Sequence, residues 1–304
     1  MSYDQESLLF PNSFLQNMTV FSRLLPSLTS AYALQIMFAL VFVPQQNETY
    51  FDLGGSLGFL STAYISLYYP ALKTKFWDGI PTQLPPLSLF APRQVILSAI
   101  VGIWASRMGI FLASRAIKAG GDSRFSEIKR KPAVFSCYWF GQASWVFLTG
   151  LPVYLCNTLP SNLHPALRLR DYAALGLIAG SFLFEVIADY QKSSWRHKKN
   201  HKQHDEKFIT SGLWSISRHP NYVGELGIWT GIWALSSSAL RTPYFPSGTV
   251  LLAGLSPAMT YFLLRKLSGV PPLERQAEKR WGDDPKWKEY KKSVPVFWPW
   301  YRED

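Results

Sequence analysis

The chain has 304 residues, of which 48% are hydrophobic, 15% aromatic and 17% charged, and a formal net charge of +11. Soluble domains carry about 25% charged residues, so the shortfall points to a surface that faces lipid, and a mean hydropathy of +0.01 averages apolar stretches with very basic loops. The Lys and Arg residues alternate with apolar stretches instead of gathering on a separate domain, which argues against nucleic acid and for anionic headgroups and the positive-inside bias.

In chain order, the N-terminus carries Asp4 and Glu6 and lacks a basic region followed by an apolar core. No cleaved signal or transit peptide is expected there. Seven stretches then have the length and apolar content of a membrane span, which needs about 20 residues. They are residues 27–44, 53–72, 94–114, 134–156, 171–189, 223–240 and 246–264. The first is interrupted by Gln35 and the second by Gly54, Gly55 and Gly58; small residues in a span let helices pack closely. Cys137 and Cys156 give neither a disulfide framework nor a metal-ligand spacing.

Orientation follows from the basic residues. The 115–131 loop carries six, the 190–222 loop seven and the tail from Arg265 onward ten, against seven on the N-terminus and the three loops of the opposite side. With seven spans the three richest regions fall on one side, which puts the C-terminus in the cytosol. The fold class expected is thus an all-α integral membrane protein of about seven transmembrane helices with basic cytosolic loops. Trp281, Trp287, Trp298 and Trp300 place the tail against the membrane surface. Residues 1–132 are expected to form the substrate side and 133–304 the cofactor side of one structural unit.

Ionisable groups inside a membrane are costly and point to function. Arg107, Glu185, Asp189 and Glu225 stand out. Glu185 and Asp189 share a helix face, and the same stripe continues through Lys192 to Arg196. It reads as the wall of a cavity open to the cytosol, or as a solvated helix end with snorkelling cations. The densest segment, Gly212 to Glu225, packs Ser217, Arg218, His219, Asn221, Tyr222 and Glu225 before an apolar stretch, with Pro220 suited to a first helical turn. A helix N-terminus beside Arg218 and His219 suits a phosphate or carboxylate. His197, His201 and His204 lie among lysines with no acidic pair to frame them, so a solvated loop is favoured over a metal site. The sequence holds no phosphate-loop or dinucleotide glycine fingerprint.

Glu185, Ala188-Asp189, Gln191-Lys192, Gly212-Leu213-Trp214, Ser217-Arg218-His219-Pro220-Asn221-Tyr222, Gly224-Glu225 and Trp229 together form a recognisable pattern. It continues in Ser268-Gly269-Val270-Pro271, Leu273-Glu274, Trp281-Gly282, Tyr290-Lys291 and Pro295-Val296-Phe297-Trp298-Pro299. In these residues the C-terminal third resembles the steroid 5-alpha-reductase-like membrane family, in the branch once known only as domain of unknown function 1295. The resemblance implies a seven-helix bundle that takes NADPH from the cytosolic side and reduces a carbon–carbon double bond of a steroid, sterol or other lipid. Endoplasmic reticulum is the family's usual membrane.

By the same resemblance, Asp189 and Arg196, seven apart, contact the cofactor. Asn221, Tyr222 and Glu225 line its pocket, and Lys279, Tyr290 and Lys291 belong to a tail that closes over it. Lys192, Ser217, Arg218, His219 and Trp229 complete the expected cofactor-binding set, and no metal is implied. Steroid reductases supply a proton through a Glu–Tyr pair in the N-terminal half. No motif fixes that pair here, although Tyr64, Tyr68 and Tyr69 lie in the corresponding span. Tyr222 and Glu225 are the catalytic candidates in its place. The alternative is a membrane S-adenosylmethionine-dependent methyltransferase similar to the isoprenylcysteine carboxyl methyltransferases. Those share the Arg-His-Pro-x-Tyr-x-Gly run but follow it with a Glu-Glu pair, where this chain has Leu273-Glu274-Arg275. A non-catalytic lipid-binding protein that keeps the fold is a third class.

Overall fold

In the computed structural model, residues 20–119 and 125–299 are described. Asp4, Glu6, the Gly120–Arg124 stretch, Trp300 and Arg302 lie outside them. Among the described residues the secondary structure is helical, without strands. Four long helices come first: α1 (Val20–Phe42), α2 (Phe51–Phe76), α3 (Pro92–Ala119) and α4 (Pro132–Asn157). They are followed by α5 (Leu169–Asn200) and α6 (Pro220–Leu240), then the short α7 (Thr249–Ala253) and α8 (Leu255–Tyr261). One turn of wider π-helix, Phe262–Leu267, leads into α9 (Val270–Trp281) and α10 (Pro285–Ser293).

Among the described residues, four helical stretches are long and apolar enough to cross a membrane: Ser22–Phe42, Pro92–Leu112, Leu169–Asn200 and Thr249–Trp281. The other three expected stretches also lie in helices of 21 to 26 residues, α2, α4 and α6. Their hydropathy is held down by residues that serve packing: Gly54, Gly55 and Gly58 in α2, Trp139 and Trp145 in α4, Ser236, Ser237 and Ser238 in α6. The seventh stretch, 246–264, is not one continuous α-helix. It breaks at Gly254 and widens into the π-turn.

The chain divides into two compact units, residues 1–167 with 236–255, and 168–235 with 256–304. In the first unit α2 packs against α1, α3 and α4, and α1 against α4. Aromatic rings fill the space between them: Trp139 is buried with Phe125 and Phe135, and the Phe51 and Trp139 rings meet edge to face at 4.8 Å. Small residues set how closely α2 can approach, since a side chain at Gly55 would lie 2.7 Å from Gln142 Nε2.

In the second unit the α5 and α6 backbones are in close approach at Gly224, where a Cβ would lie 2.8 Å from the Ser181 carbonyl oxygen. Arg168, at the N-terminus of α5, donates its backbone N–H to the buried Asp171 carboxylate at 2.8 Å, closing a reciprocal cap. Such a cap satisfies N–H groups that the first helical turn leaves without partners.

Candidate functional site

The second unit brings its polar residues together by strapping three segments to one another. Gly212 opens the first of them. Its φ of +62° is a left-handed conformation, and only glycine holds this without strain. The turn lets Leu213 N–H donate to Gln191 Oε1 at 2.9 Å and Trp214 Nε1 donate to the Ala188 carbonyl at 3.1 Å. Residues 212–215 are thereby docked on α5. The tail is tied to the same segment from its other side. Tyr290 Oη donates to the Trp214 carbonyl at 2.6 Å, Arg218 N–H to the Pro295 carbonyl at 3.0 Å, and Ser217 Oγ to the Phe297 carbonyl at 2.7 Å.

Between these segments lies a cleft of about 440 Å³, within the range of small-molecule sites. Lys192, Arg196, Lys199, Lys207, Arg218 and Arg280 face it, against one carboxylate, Glu274. Much of its remaining wall is aromatic, with Trp195, Phe208, Trp214, Trp281, Trp287 and Tyr290. Lys192 Nζ stands 4.3 Å from the centre of the Trp214 ring, close enough for the ring's negative face to hold the cation.

Glu274 anchors the floor. Its Oε1 is 2.8 Å from His219 Nε2 and its Oε2 3.2 Å from Arg218 Nη1. His219 is 5% exposed, and burial holds its pKa below the ordinary histidine value although the Glu274 carboxylate pulls the other way. A neutral ring bonded to Glu274 through Nε2–H leaves Nδ1 as a bare acceptor, and Nδ1 has no hydrogen-bond partner among the described residues. Arg218, whose side chain is 9% exposed, also keeps a buried Nε–H without a hydrogen-bond partner among them. A buried donor left unmade costs about 1–3 kcal/mol.

Of the expected cofactor residues, Lys192, Arg196, Arg218, His219 and Tyr290 line this cleft. Ser217 sits behind it, fully buried, and accepts from His219 N–H at 3.2 Å. Asn221, Tyr222, Glu225 and Trp229 follow on α6 and do not line it. Tyr222 stacks on the His219 ring, nearly parallel to it at 5.6 Å between centroids, and packs against Leu226, Val270 and Phe297. Asp189, Glu225 and Trp229 are buried within the second unit. Thus the two catalytic candidates, Tyr222 and Glu225, stand beside the cleft and not in its wall.

Lys279 and Lys291 lie elsewhere. Lys291 Nζ pairs with Glu278 Oε2 at 2.6 Å. Lys279 faces a wider groove of about 1230 Å³ lined by Asp205, Glu206, Glu278, Asp283, Asp284 and Glu289 together with four cations. So many carboxylates oppose an anionic ligand, and the smaller cleft is the better candidate on charge.

Sequence reasoning missed Trp195, Lys199, Lys207, Trp214 and Arg280 as wall residues. Lys199 and Lys207 looked like part of a solvated loop. The loop instead folds back on α5, with Trp195 Nε1 donating to Glu206 Oε2 at 2.6 Å and Lys199 Nζ to the Glu206 carbonyl at 2.7 Å.

Comparison with known proteins matches residues 77–294 to the family described as protein of unknown function (DUF1295). That is well over half of the chain. The chain belongs to the DUF1295 family. It is a family of membrane proteins, in keeping with the four apolar helices. The chain is also similar to an uncharacterized protein, C594.04c, of Schizosaccharomyces pombe, with 24% identity over 215 residues. That alignment covers 61% of this chain and 60% of the relative's length. No solved structure matches the chain. The DUF1295 match includes the cleft and the 212–215 turn, and it leaves out α1, α2 and the tail carbonyls of Pro295 and Phe297.

Proposed function

We propose that this DUF1295 chain is a membrane oxidoreductase that binds NADPH in the cleft of the second unit and reduces a carbon–carbon double bond of a steroid, sterol or other lipid. The observation that carries the binding half of this reading is the cleft's composition, six Lys and Arg side chains interleaved with tryptophan faces around the unmade Arg218 Nε–H donor. Phosphates want charge-assisted donors, and Arg supplies them in a planar fork. The rings of a dinucleotide stack on indole faces, which tolerate any aromatic heterocycle. The residues present fit such a ligand: Arg218, Lys192 and Arg196 would take phosphate oxygens, and Trp195 a ring.

When bound, the reduced nicotinamide would supply a hydride. The rest of the chemistry falls to the chain. Hydride addition to a polarised double bond leaves negative charge that must be stabilised or protonated. Tyr222, stacked on His219, and Glu225, one turn further along α6, are the proton donors of this reading, standing behind the wall residues His219 and Tyr290. In this reading the seven helical stretches cross the endoplasmic reticulum membrane, and the 190–222 loop and the tail face the cytosol, where soluble nucleotide is available.

A second reading, methyl transfer from S-adenosylmethionine, is favoured by one feature. Glu274 places a carboxylate at the cleft floor against Arg218 and His219, and a carboxylate suits a cationic ligand better than a polyanion. The two readings separate in one assay. Purified chain in detergent is given NADPH and a panel of lipid enones, and the loss of nicotinamide absorbance is followed. Lipid-dependent oxidation of NADPH is expected. Absence of oxidation together with methyl transfer from labelled S-adenosylmethionine would replace this reading with the second.

A further inference from the structure

The six cations that face the cleft of the second unit are not equivalent. Four are held by the chain itself. Arg218 pairs with Glu274 at 3.2 Å on the floor, and Lys192 Nζ lies over the Trp214 ring at 4.3 Å. Lys199 Nζ donates to the Glu206 and Lys207 carbonyls at 2.7 and 3.0 Å. Lys207 Nζ pairs with Asp284 Oδ2 at 2.6 Å. Arg196 and Arg280 are left. Both are exposed, and among the described residues neither guanidinium has a hydrogen bond, an ion pair or a ring contact.

Arg196 already belongs to the cofactor set that the resemblance implies; Arg280 does not. Arg280 lines both the cleft and the wider groove, so it stands on the rim that the two share. Two acids near it in the chain are engaged elsewhere, Glu278 with Lys291 and Asp284 with Lys207. Its guanidinium therefore keeps a full planar fork of donors for a ligand.

The reaction decides which part of a dinucleotide meets that rim. A nicotinamide that gives hydride to a lipid must point toward the buried end of the cleft, where His219 and Tyr290 are 5% and 7% exposed. The adenosine end is then left at the exposed rim. NADPH and NADH differ there alone, by a 2′-phosphate in place of a hydroxyl. A phosphate monoester carries a charge of about −1.5 to −2 at neutral pH and three acceptor oxygens. Two of those oxygens match two N–H groups of one guanidinium, a pairing that a hydroxyl cannot make.

We propose that Arg280 selects a 2′-phosphorylated dinucleotide over the unphosphorylated one by pairing with the 2′-phosphate at the cleft rim. The proposal rests on the NADPH reading of the cleft and adds to it the residue that discriminates.

The test measures affinity, not turnover. The full chain in detergent is titrated calorimetrically with NADPH and with NADH, as the native protein and as Arg280→Leu, Arg280→Lys and Lys286→Leu. Lys286 lines the wider groove and not the cleft, so its variant removes the same charge at a distance. The native chain should bind NADPH about tenfold or more tighter than NADH, as expected of a charge-assisted pair. Arg280→Leu should erase that preference by weakening NADPH while NADH keeps its native affinity. Arg280→Lys, which keeps the charge and loses the fork, should fall between. Lys286→Leu should keep the native preference, because exposed charges are screened over such separations. The melting midpoint of Arg280→Leu without ligand should match that of the native chain, since its side chain has no partner to lose. A preference for NADPH that survives in Arg280→Leu overturns the assignment while leaving the cleft a nucleotide site. Equal weakening of both nucleotides in Arg280→Leu also overturns it, as does a preference lost in Lys286→Leu. Absence of binding by either nucleotide to the native chain overturns the NADPH reading itself, and this assignment with it.

Discussion

Arg218 and His219 share one carboxylate, and that sharing sets the chemistry of the cleft. Glu274 reaches both, yet Arg218 Nε and His219 Nδ1 remain without hydrogen-bond partners among the described residues. His219 is buried and neutral in the folded chain, its pKa lowered first by burial and further by Lys192 and Arg218. The unfolded chain would bind a proton there near the ordinary value of about 6.5. Stability that depends on neutral His219 is therefore complete above that value and is lost as pH falls through the lower folded value. The melting midpoint of the purified chain should drop as the buffer goes from about pH 7 to about pH 5. The His219→Gln variant, which cannot take up that proton, should drop less over the same range. Parallel profiles for the two proteins would remove His219 as the acid-sensitive element.

At the scale of elements, the cleft exists because a turn and a tail are fastened to α5 and the start of α6. The turn begins at Gly212, whose left-handed backbone and closeness to Gln191 both exclude a side chain. A Cβ there would lie 2.5 Å from Gln191 Nε2. Gly212→Ala should cost about 1–2 kcal/mol from the left-handed strain alone and should also loosen the Leu213 and Trp214 bonds to α5. A lowered melting midpoint together with weaker nucleotide binding is the expected result; an unchanged midpoint would contradict the strain.

The Gly212–Glu225 segment was legible because polar residues, a glycine and a proline stand together before an apolar run. The return of the 201–210 loop onto α5 was not legible. It depends on bonds such as Trp195 to Glu206 that link residues in a stretch reading only as charged and solvated. The break in the 246–264 stretch was hidden for a similar reason. Hydropathy counts apolar residues, and the π-turn at Phe262–Leu267 is as apolar as the helix it interrupts until Arg265. Such wider turns often mark functional places in helices, and this one delivers α9 and with it Glu274 to the cleft.

Over the whole molecule, the helical membrane character followed from composition, and the DUF1295 match and the four apolar helices agree with it. The stripe from Glu185 to Arg196 was also read from spacing. In the structure it divides by depth: Glu185 and Asp189 are buried, and Lys192 and Arg196 face the cleft. The tail residues Lys279 and Lys291 were expected over the cofactor and do not line the cleft, because α9 and α10 carry several cations and packing decides which of them reaches it.

The most direct measurement is a calorimetric titration of the detergent-solubilised chain with NADPH, and separately with S-adenosylmethionine, on the native protein and on Arg218→Ala. A ligand that binds the folded state shows saturable heat and raises the melting midpoint. Saturable NADPH binding that weakens tenfold or more in Arg218→Ala, in line with about 1.5–3 kcal/mol for a charge-assisted hydrogen bond, is the expected result. No NADPH binding to the native chain, or equal affinity in a folded Arg218→Ala variant, would contradict the cleft as a nucleotide site.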